Sequence, residues 1–199
     1  DNAADIWSVG GALDQKFSAS LFGGAEYYYR NLSSPYNVTN DDNSFDLRDA
    51  KWEENIFRAY LFWTPHEWVS LTAEYLLEDF DRTTDNAAGA RELKTRSAPL
   101  GVNFFHPTGF SASVKGTYID QDGDFERQGT GGTFEDADDD FFLVDAALGY
   151  RLPKRYGRLT AGVRNLFDTE GFKYFDTDED NPRIQPDRTF FIQLTLAFP

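Results

Sequence analysis

The sequence has no cysteine, two histidines, and no apolar run long enough for a membrane-spanning helix. Without cysteine, the chain forms neither disulfide bonds nor thiolate metal sites. It is also poor in basic residues, with 19 Lys and Arg against 34 Asp and Glu and a net charge of -15. Because binding to a phosphate backbone needs clustered Lys and Arg, we expect no nucleic-acid partner. The first residues, DNAAD, contain neither an initiator Met nor the apolar core of a signal peptide.

Large aromatic side chains are abundant instead. The 199 residues include 19 Phe, 10 Tyr and 4 Trp, which together make up 17% of the chain. An acidic chain with few rings is typical of disorder, but this many rings indicates a folded protein. The length suits one domain with a sizeable core, and we assign residues 1–199 to a single domain.

The C-terminal stretch RTFFIQLTLAFP alternates between two kinds of side chain. Phe190, Ile192 and Leu194 fall on one face of an extended chain, whereas Gln193 and Thr195 fall on the other. A period of two predicts a β-strand. The same alternation recurs along the chain and predicts an all-β fold of about nine antiparallel, meandering strands.

The connections between these predicted strands alternate between short and long. The short ones are DQK, TPHEW, HPTG and PKRYG, and the long ones are acidic, such as DQDGDFERQGTGGTFEDADDD. Outer-membrane barrels have short periplasmic turns and long external loops, whereas a soluble sandwich has no reason to keep its short turns at one end. The pattern therefore predicts a transmembrane β-barrel of the bacterial outer membrane, with the long acidic loops extracellular and the short turns periplasmic. A soluble β-sandwich is the alternative.

One parity of residues in each predicted strand carries almost no charge, and the opposite parity is polar. Aromatic rings on the apolar parity lie near the strand ends, where barrels have interfacial girdles. We expect the apolar parity, which starts at Phe17 and Ala19 and includes Leu71 and Val144, to face lipid. The charged residues of the polar parity are candidates for a lumen-facing wall. They are Arg30, Arg58, Glu74, Glu78, Lys115, Asp145, Arg158 and Arg164.

The predicted strand number is odd. Counting back from the last strand, which descends from the outside, the first strand DIWSVGGAL also starts outside, so both edge strands run downward. Open edges are costly in hydrocarbon because unpaired backbone groups find no hydrogen-bond partners there. We therefore expect the chain to be the C-terminal portion of a larger barrel, interrupted in an external loop before Asp1. A miscounted strand is the alternative.

The stretch AGVRNLFDTEGF, from Ala161 to Phe172, resembles the penultimate strand of TonB-dependent outer-membrane receptors, where an NLFD box leaves the barrel toward the last external loop. The final NPRIQPDRTFFIQLTLAF is similar to the end of the same family. Barrels attached to periplasmic tetratricopeptide repeats end in much the same way. The family's plug domain and TonB box are absent from this sequence, and Pro199 follows Phe198, whereas an aromatic residue usually ends the family's chains.

The resemblance implies transport across the outer membrane, with a substrate taken up through a plugged lumen. The implied partners are membrane lipid and lipopolysaccharide, the barrel-assembly machinery, the remaining strands or a plug from sequence outside this chain, and TonB if uptake is energised. A structural or export-linked barrel attached to a periplasmic repeat domain is the first alternative, and a soluble β-sandwich binding module is the second. An upstream plug would favour transport, and 34-residue helical repeats would favour the export-linked barrel.

Catalytic chemistry has little support in the sequence. Both histidines, His66 and His106, fall in predicted short turns beside proline, away from any serine or aspartate on the outer rim. Glu74 and Glu78 share a strand face, but a solvated lumen wall explains this pair without an acid and base role. We therefore predict no catalytic residues and no enzymatic activity.

Aspartates recur at alternate positions in two acidic stretches, DQDGD and DTDED. Closely spaced carboxylates suit Ca²⁺, but DQDGD lacks the bidentate Glu and the spacing of an EF-hand loop. Surface solvation is the favoured interpretation, and weak Ca²⁺ binding that bridges to lipopolysaccharide is the alternative. No other cofactor is predicted. The aspartates concerned are Asp120, Asp122, Asp124, Asp176, Asp178 and Asp180.

Overall fold

The protein is described by a computed structural model that covers residues 4–39, 44–82, 90–126, 134–169 and 187–197. Within these ranges the chain forms nine β-strands and one short 3₁₀ turn, Pro153–Arg155. The strands are β1 (Asp5–Lys16), β2 (Leu21–Thr39), β3 (Phe45–His66), β4 (Val69–Arg82), β5 (Ala90–Phe105), β6 (Phe110–Glu126), β7 (Phe134–Arg151), β8 (Gly157–Arg164) and β9 (Thr189–Leu196).

The nine strands form one open antiparallel sheet in which every strand pairs with its neighbours in sequence. The all-β, nine-stranded antiparallel meander that the alternation predicts is therefore confirmed. β1 and β9 are the two edges of the sheet. Because successive strands alternate in direction, these two edge strands run the same way, and no ladder joins them in the described residues.

The register stays constant over long distances. β2 and β3 pair without a break from Leu21 opposite Trp63 to Thr39 opposite Phe45. The ladder between β4 and β5 has a gap beside Pro99, which lacks the backbone N–H that a ladder needs, and the same register resumes on both sides of it. A period-two pattern kept in one register holds each parity of residues on one face of the sheet.

The strands extend far into stretches that the sequence predicts to be long loops. β6 continues through DQDGD to Glu126, and β7 begins at Phe134 and contains DADDD. The prediction of loops there is wrong. Aspartate disfavours strands, but Arg96 forms ion pairs with Asp120 and Asp122 across the β5–β6 ladder and compensates part of their charge.

The first short turn lies slightly later than predicted. β1 runs to Lys16, so Phe17 and Ala19, predicted to be lipid-facing strand residues, fall in the connection to β2. The Phe17 N–H donates to the carbonyl of Leu21 at 2.9 Å, and the Ser20 N–H donates to the Ser18 hydroxyl at 3.2 Å. Local hydrogen bonds in which a serine hydroxyl accepts a backbone N–H compete with the strand ladder, which is consistent with the shift.

Few apolar side chains are buried in this sheet. Ile56, Leu93, Ile119 and Phe141 are buried, and their parity places all four on the same face as Arg58. Most large apolar side chains point to the opposite face and are exposed. The main apolar surface of the described residues is therefore an exterior surface.

Candidate functional site

The two faces of the sheet differ sharply in chemistry. We call the face that carries Leu148 and Ile192 the apolar face, and the face that carries Arg58 and Arg158 the polar face. On the apolar face, Leu148 is 68% exposed and Ile192 is 80% exposed. Exposed apolar side chains of this parity occur on all nine strands. They include Val9, Leu13, Tyr27, Leu61, Tyr75, Leu100, Val102, Val114, Phe142, Leu159 and Phe190.

Aromatic rings mark both ends of the apolar face. Near the short turns, the rings of Phe110 and Tyr150 pack with their centroids 4.8 Å apart. Toward the other end, Tyr118 lies opposite Phe142 across the β6–β7 ladder. The next outward position of β6 on this face is Asp120. From Phe110 to Asp120 the strand advances about 33 Å.

Beyond the rings, the apolar face changes abruptly into an acidic band. It consists of three directly opposed pairs on β6 and β7, and like charges in direct opposition destabilise a sheet. Arg96 lies 2.8 Å from Asp120 and 2.7 Å from Asp122, and Arg91 pairs with Asp124, so arginines of β5 offset part of the repulsion. The pairs are Asp120 with Asp140, Asp122 with Asp138, and Asp124 with Asp136.

The outermost pair of the acidic band shares a hydrogen bond. This bond with Asp136 is the main cause that lowers the pKa of Asp124, and Arg91 acts in the same direction. The same bond raises the pKa of Asp136, because the proton that Asp136 retains is the one that Asp124 accepts. The two carboxyl groups therefore have different pKa values, although both belong to aspartates.

The aspartates considered for Ca²⁺ divide into two sets. Asp120, Asp122 and Asp124 lie in the acidic band, where they pair with arginine guanidinium groups. In the described ranges, no group of three or more His, Asp or Glu side chains has a geometry that could hold a metal ion. Weak cation binding by these residues stays a prediction. The second set, Asp176, Asp178 and Asp180, lies outside the described residues.

The polar face carries all eight of the charged residues predicted to line a lumen, as the strand registers show. Arg58 on β3 is held between carboxylates of both neighbouring strands, 3.2 Å from Glu26 on β2 and 2.7 Å from Glu74 on β4. Arg30 pairs with Glu54 further along the same two strands, β2 and β3. The structure thus brings Arg30, Arg58 and Glu74 into cross-strand ion pairs. That this face borders a lumen stays a prediction.

Tyr60 extends the Arg58 cluster to the edge strand. Its hydroxyl donates to Asp14 on β1, and the Arg58 guanidinium lies 5.1 Å from the centre of its ring. The Tyr60 side chain crosses β2 at Gly24, where a Cβ would lie 2.7 Å from the hydroxyl. The list of lumen candidates missed Asp14 and Tyr60. Both have the parity of the polar face, which is the signal that could have found them.

The β6–β9 side of the polar face has a different arrangement of charge. Lys115 lies opposite Asp145 in the ladder, and the Arg158 side chain donates to the Ser111 hydroxyl at 2.9 Å. The Arg164 guanidinium lies over the Phe191 ring, 5.6 Å from its centre. One further cation was missed by the sequence prediction. Arg151 lies directly opposite Arg158, and its parity with Asp145 on β7 could have found it.

The NLFD box forms a compact turn after β8. Asn165 is buried and has a φ of 48°, and its amide exchanges two hydrogen bonds with Thr169: it accepts the Thr169 N–H at 2.9 Å and donates to the Thr169 carbonyl at 3.2 Å. The backbone N–H of Asn165 donates to Asp145 on β7 at 3.0 Å. Asp168 accepts the Arg188 N–H at 2.8 Å just before β9. This Asn165 turn therefore connects β7, β8 and the start of β9.

The two histidines take part in turn structure. His66 ends β3 and accepts the Trp68 N–H at 3.2 Å through Nδ1. The Nδ1 of His106 lies 2.7 Å from the Thr108 hydroxyl in the β5–β6 connection. Their hydrogen bonds agree with the predicted turn positions. The absence of catalysis stays a prediction.

Comparisons of this chain with protein-family models, with curated proteins and with solved structures found no match. Separately, none of the helices among the described residues is long and apolar enough to cross a membrane.

Proposed function

We propose that the chain contributes nine strands to the wall of an outer-membrane β-barrel that passes a solute. The apolar face lies against lipid and the polar face lines the path. The observation that carries this proposal is the continuous exposure of large apolar side chains across all nine strands, bounded by aromatic rings at both ends.

Lipid is a better partner for the apolar face than a second protein layer. Apolar patches that extend over a whole sheet are rare on soluble proteins and mark membrane or protein contacts. A second sheet packed over Leu148 and Phe142 would also cover the charged side chains of Asp138 and Asp140, which lie on the same strand, β7. A bilayer offers an apolar band of about 25 Å followed by a charged headgroup zone with bound cations, which suits both parts of this face.

The polar face suits the interior of a barrel. Its ion pairs at Arg58 and Arg30 satisfy charges that could not face hydrocarbon. The open edges of the sheet, β1 and β9, need partners in a bilayer. Because β1 and β9 run in the same direction, an antiparallel ladder cannot join them, and we infer that further strands beside Asp5–Lys16 and Thr189–Leu196 complete the barrel. The resemblance at Asn165 to Asp168 favours a receptor-type transporter.

Cysteine labelling of intact cells tests the orientation, since the chain has no native thiol. Asp138→Cys lies beyond the apolar part of β7, and Thr108→Cys lies in the short turn before β6. In the natural protein we expect a membrane-impermeant maleimide to label position 138 on intact cells, and to label position 108 after permeabilisation. Equal labelling of both positions on intact cells would contradict an outer-membrane barrel.

Passage along the polar face is tested by conductance of the natural protein in planar bilayers. Ser113 and Val114 are neighbours on β6 that point to opposite faces. A bulky charged thiol reagent on Ser113→Cys should change the conductance, whereas the same reagent on Val114→Cys should leave it unchanged. No change at position 113 would argue against a solute path on this face.

A further inference from the structure

Cations on the polar face are distributed unequally between its two sides. On β1–β4, Arg30 and Arg58 are both engaged by carboxylates. On β6–β9, between the short turns and the level of Asp145, the polar face carries four cations and that single carboxylate. The Asp145 carboxylate lies opposite Lys115 in the ladder and also accepts the backbone N–H of Asn165. The four cations are Lys115, Arg151, Arg158 and Arg164.

No ion pair satisfies these four cations within the part of the chain that the structure describes. Arg158 is bonded to the Ser111 hydroxyl and Arg164 to the face of the Phe191 ring, and both contacts leave the positive charge uncompensated. The chain has 34 acidic residues against 19 basic ones, so carboxylates are abundant elsewhere. Strand neighbours of like charge are unfavourable, and an external anion bound between Arg151 and Arg158 would relieve their repulsion.

The four cations and the polar residues between them form one cationic surface. Its first part, next to the short turns, consists of Arg151, Arg158 and a hollow beside them. Gly149 leaves room for the Arg158 side chain: a Cβ there would lie 2.9 Å from its Nη2 and 2.5 Å from the Ser111 hydroxyl. The hollow beside them has a volume of about 440 Å³ and is also lined by Phe105, His106 and Thr195. This volume suits a small molecule and is too small for a folded protein segment.

A second cationic level lies further along the same strands. Six residue steps separate Arg151 from Asp145 on β7, which corresponds to about 20 Å. At that level Lys115 faces Asp145 across the ladder, and Arg164 lies on the neighbouring strand. Uncharged polar side chains of the same face, including Ser113, Thr160 and Gln193, lie between the two levels.

We propose that this surface binds the carboxylate or phosphate group of a small anionic solute, with Arg151 and Arg158 as the principal site and Lys115 and Arg164 as a second one. The guanidinium group offers paired N–H donors that match the two oxygens of such groups, and two guanidiniums on adjacent strands neutralise more than one negative charge. The inference deepens the proposed function by naming the solute class, and it relies on that function only for the idea of passage.

Citrate is a suitable probe because it is small and carries several carboxylates. Calorimetry on the detergent-solubilised natural protein at low salt should detect citrate binding, and the binding should weaken as salt rises. Arg151→Gln combined with Arg158→Gln should weaken it about tenfold or more. Arg158→Lys should retain part of the affinity. Lys16→Gln, which removes a cation from the short-turn end of the same face on β1, is the matched control and should change little.

The outcomes separate this inference from the proposed function. Absence of citrate binding, or equal binding by the double variant whose circular dichroism matches the parent, would overturn the inference. Binding of a Glu-rich peptide without binding of citrate would also overturn it, and would assign the arginines to a protein partner. Loss of citrate binding leaves the cell-labelling result unaffected, whereas wrong labelling with intact citrate binding would contradict the membrane placement alone.

Discussion

The Tyr60 hydroxyl on β3 donates a hydrogen bond to the Asp14 carboxylate on β1, two strands away. β2 lies between these strands, and its residue in the same row is Gly24, the ladder partner of both Asp14 and Tyr60. A glycine leaves the polar face open at this point, so the tyrosine side chain can lie across the middle strand. The contact ties the edge strand to the Arg58 cluster.

Gly24→Ala should therefore destabilise the sheet. A Cβ at this position would lie 2.7 Å from both the Tyr60 hydroxyl and the Leu13 carbonyl, so the neighbours must move at a cost of about 1 to 3 kcal/mol. Gly11→Ala is the matched control, because its Cβ would meet nothing within 4 Å. Both changes restrict the unfolded chain alike. Urea titrations in lipid vesicles would refute this explanation if the two variants had equal free energies of unfolding.

Arg58→Gln should weaken the protein by leaving two carboxylates on adjacent strands without their shared cation. The groups are partly exposed, so we expect a loss of about 1 kcal/mol in the free energy of unfolding. Adding Glu74→Gln should recover part of that loss, since the repulsion between Glu26 and Glu74 disappears. A double-mutant cycle in urea measures this coupling, and additive effects of the two substitutions would argue against the ion pair.

Asn165→Ala should destabilise the turn that connects β7, β8 and β9. The substitution removes the two amide hydrogen bonds with Thr169 and places a Cβ-bearing aliphatic residue at a φ of 48°, for an expected loss of about 2 kcal/mol. Glycine adopts that φ without strain, so Asn165→Gly should lower the free energy of unfolding by less. Thermal or urea unfolding distinguishes the two variants. Identical stability of parent and Asn165→Ala would show that the turn is not a fixed element.

The opposed pair Asp124 and Asp136 should titrate at different pH. The hydrogen bond lowers the pKa of Asp124, so its contribution to stability exists above its unfolded pKa and is lost as pH falls through the folded value. It raises the pKa of Asp136, so that contribution exists below the unfolded pKa and is lost as pH rises through the folded value.

Carbon-13 NMR of the two carboxyl groups in micelles measures this difference directly. Asp124→Asn should return the pKa of Asp136 to its ordinary range or below it, because an amide N–H then donates to a charged carboxylate. Asp138→Asn, one pair further along, is the control. Equal pKa values for Asp124 and Asp136 in the parent protein would contradict the shared proton.

The alternation of side chains predicts the strand number, the antiparallel order and the division of residues between faces. It succeeds at residues such as Arg58 and Val114 because a constant register keeps each parity on one side. It fails at Asp120 and Asp122, where single-residue preference indicates a loop, because the ion pairs with Arg96 arise between strands. Contacts of this kind are absent from any local window of sequence.

Parts of the polar face could not be predicted for a related reason. The position of Asn165 depends on Asp145, 20 residues earlier, and on the Thr169 backbone, so the NLFD letters alone do not give its left-handed conformation. The bond between Tyr60 and Asp14 depends on the empty space at a glycine of the strand between them. The odd or even position of a charged residue along its strand identifies the face on which it lies. Which residues pair on that face depends on the strand register.

Contact between the apolar face and lipid is the central claim, and nitroxide accessibility along β6 tests it most directly. Single cysteines at residues 111–118 are spin-labelled in turn, and the protein is placed in bilayers for exposure to oxygen and to a water-soluble nickel complex. We expect oxygen collisions to peak at Ala112, Val114, Gly116 and Tyr118, and nickel collisions to peak at the intervening residues. High nickel access at Val114, or no period of two in either profile, would contradict the account.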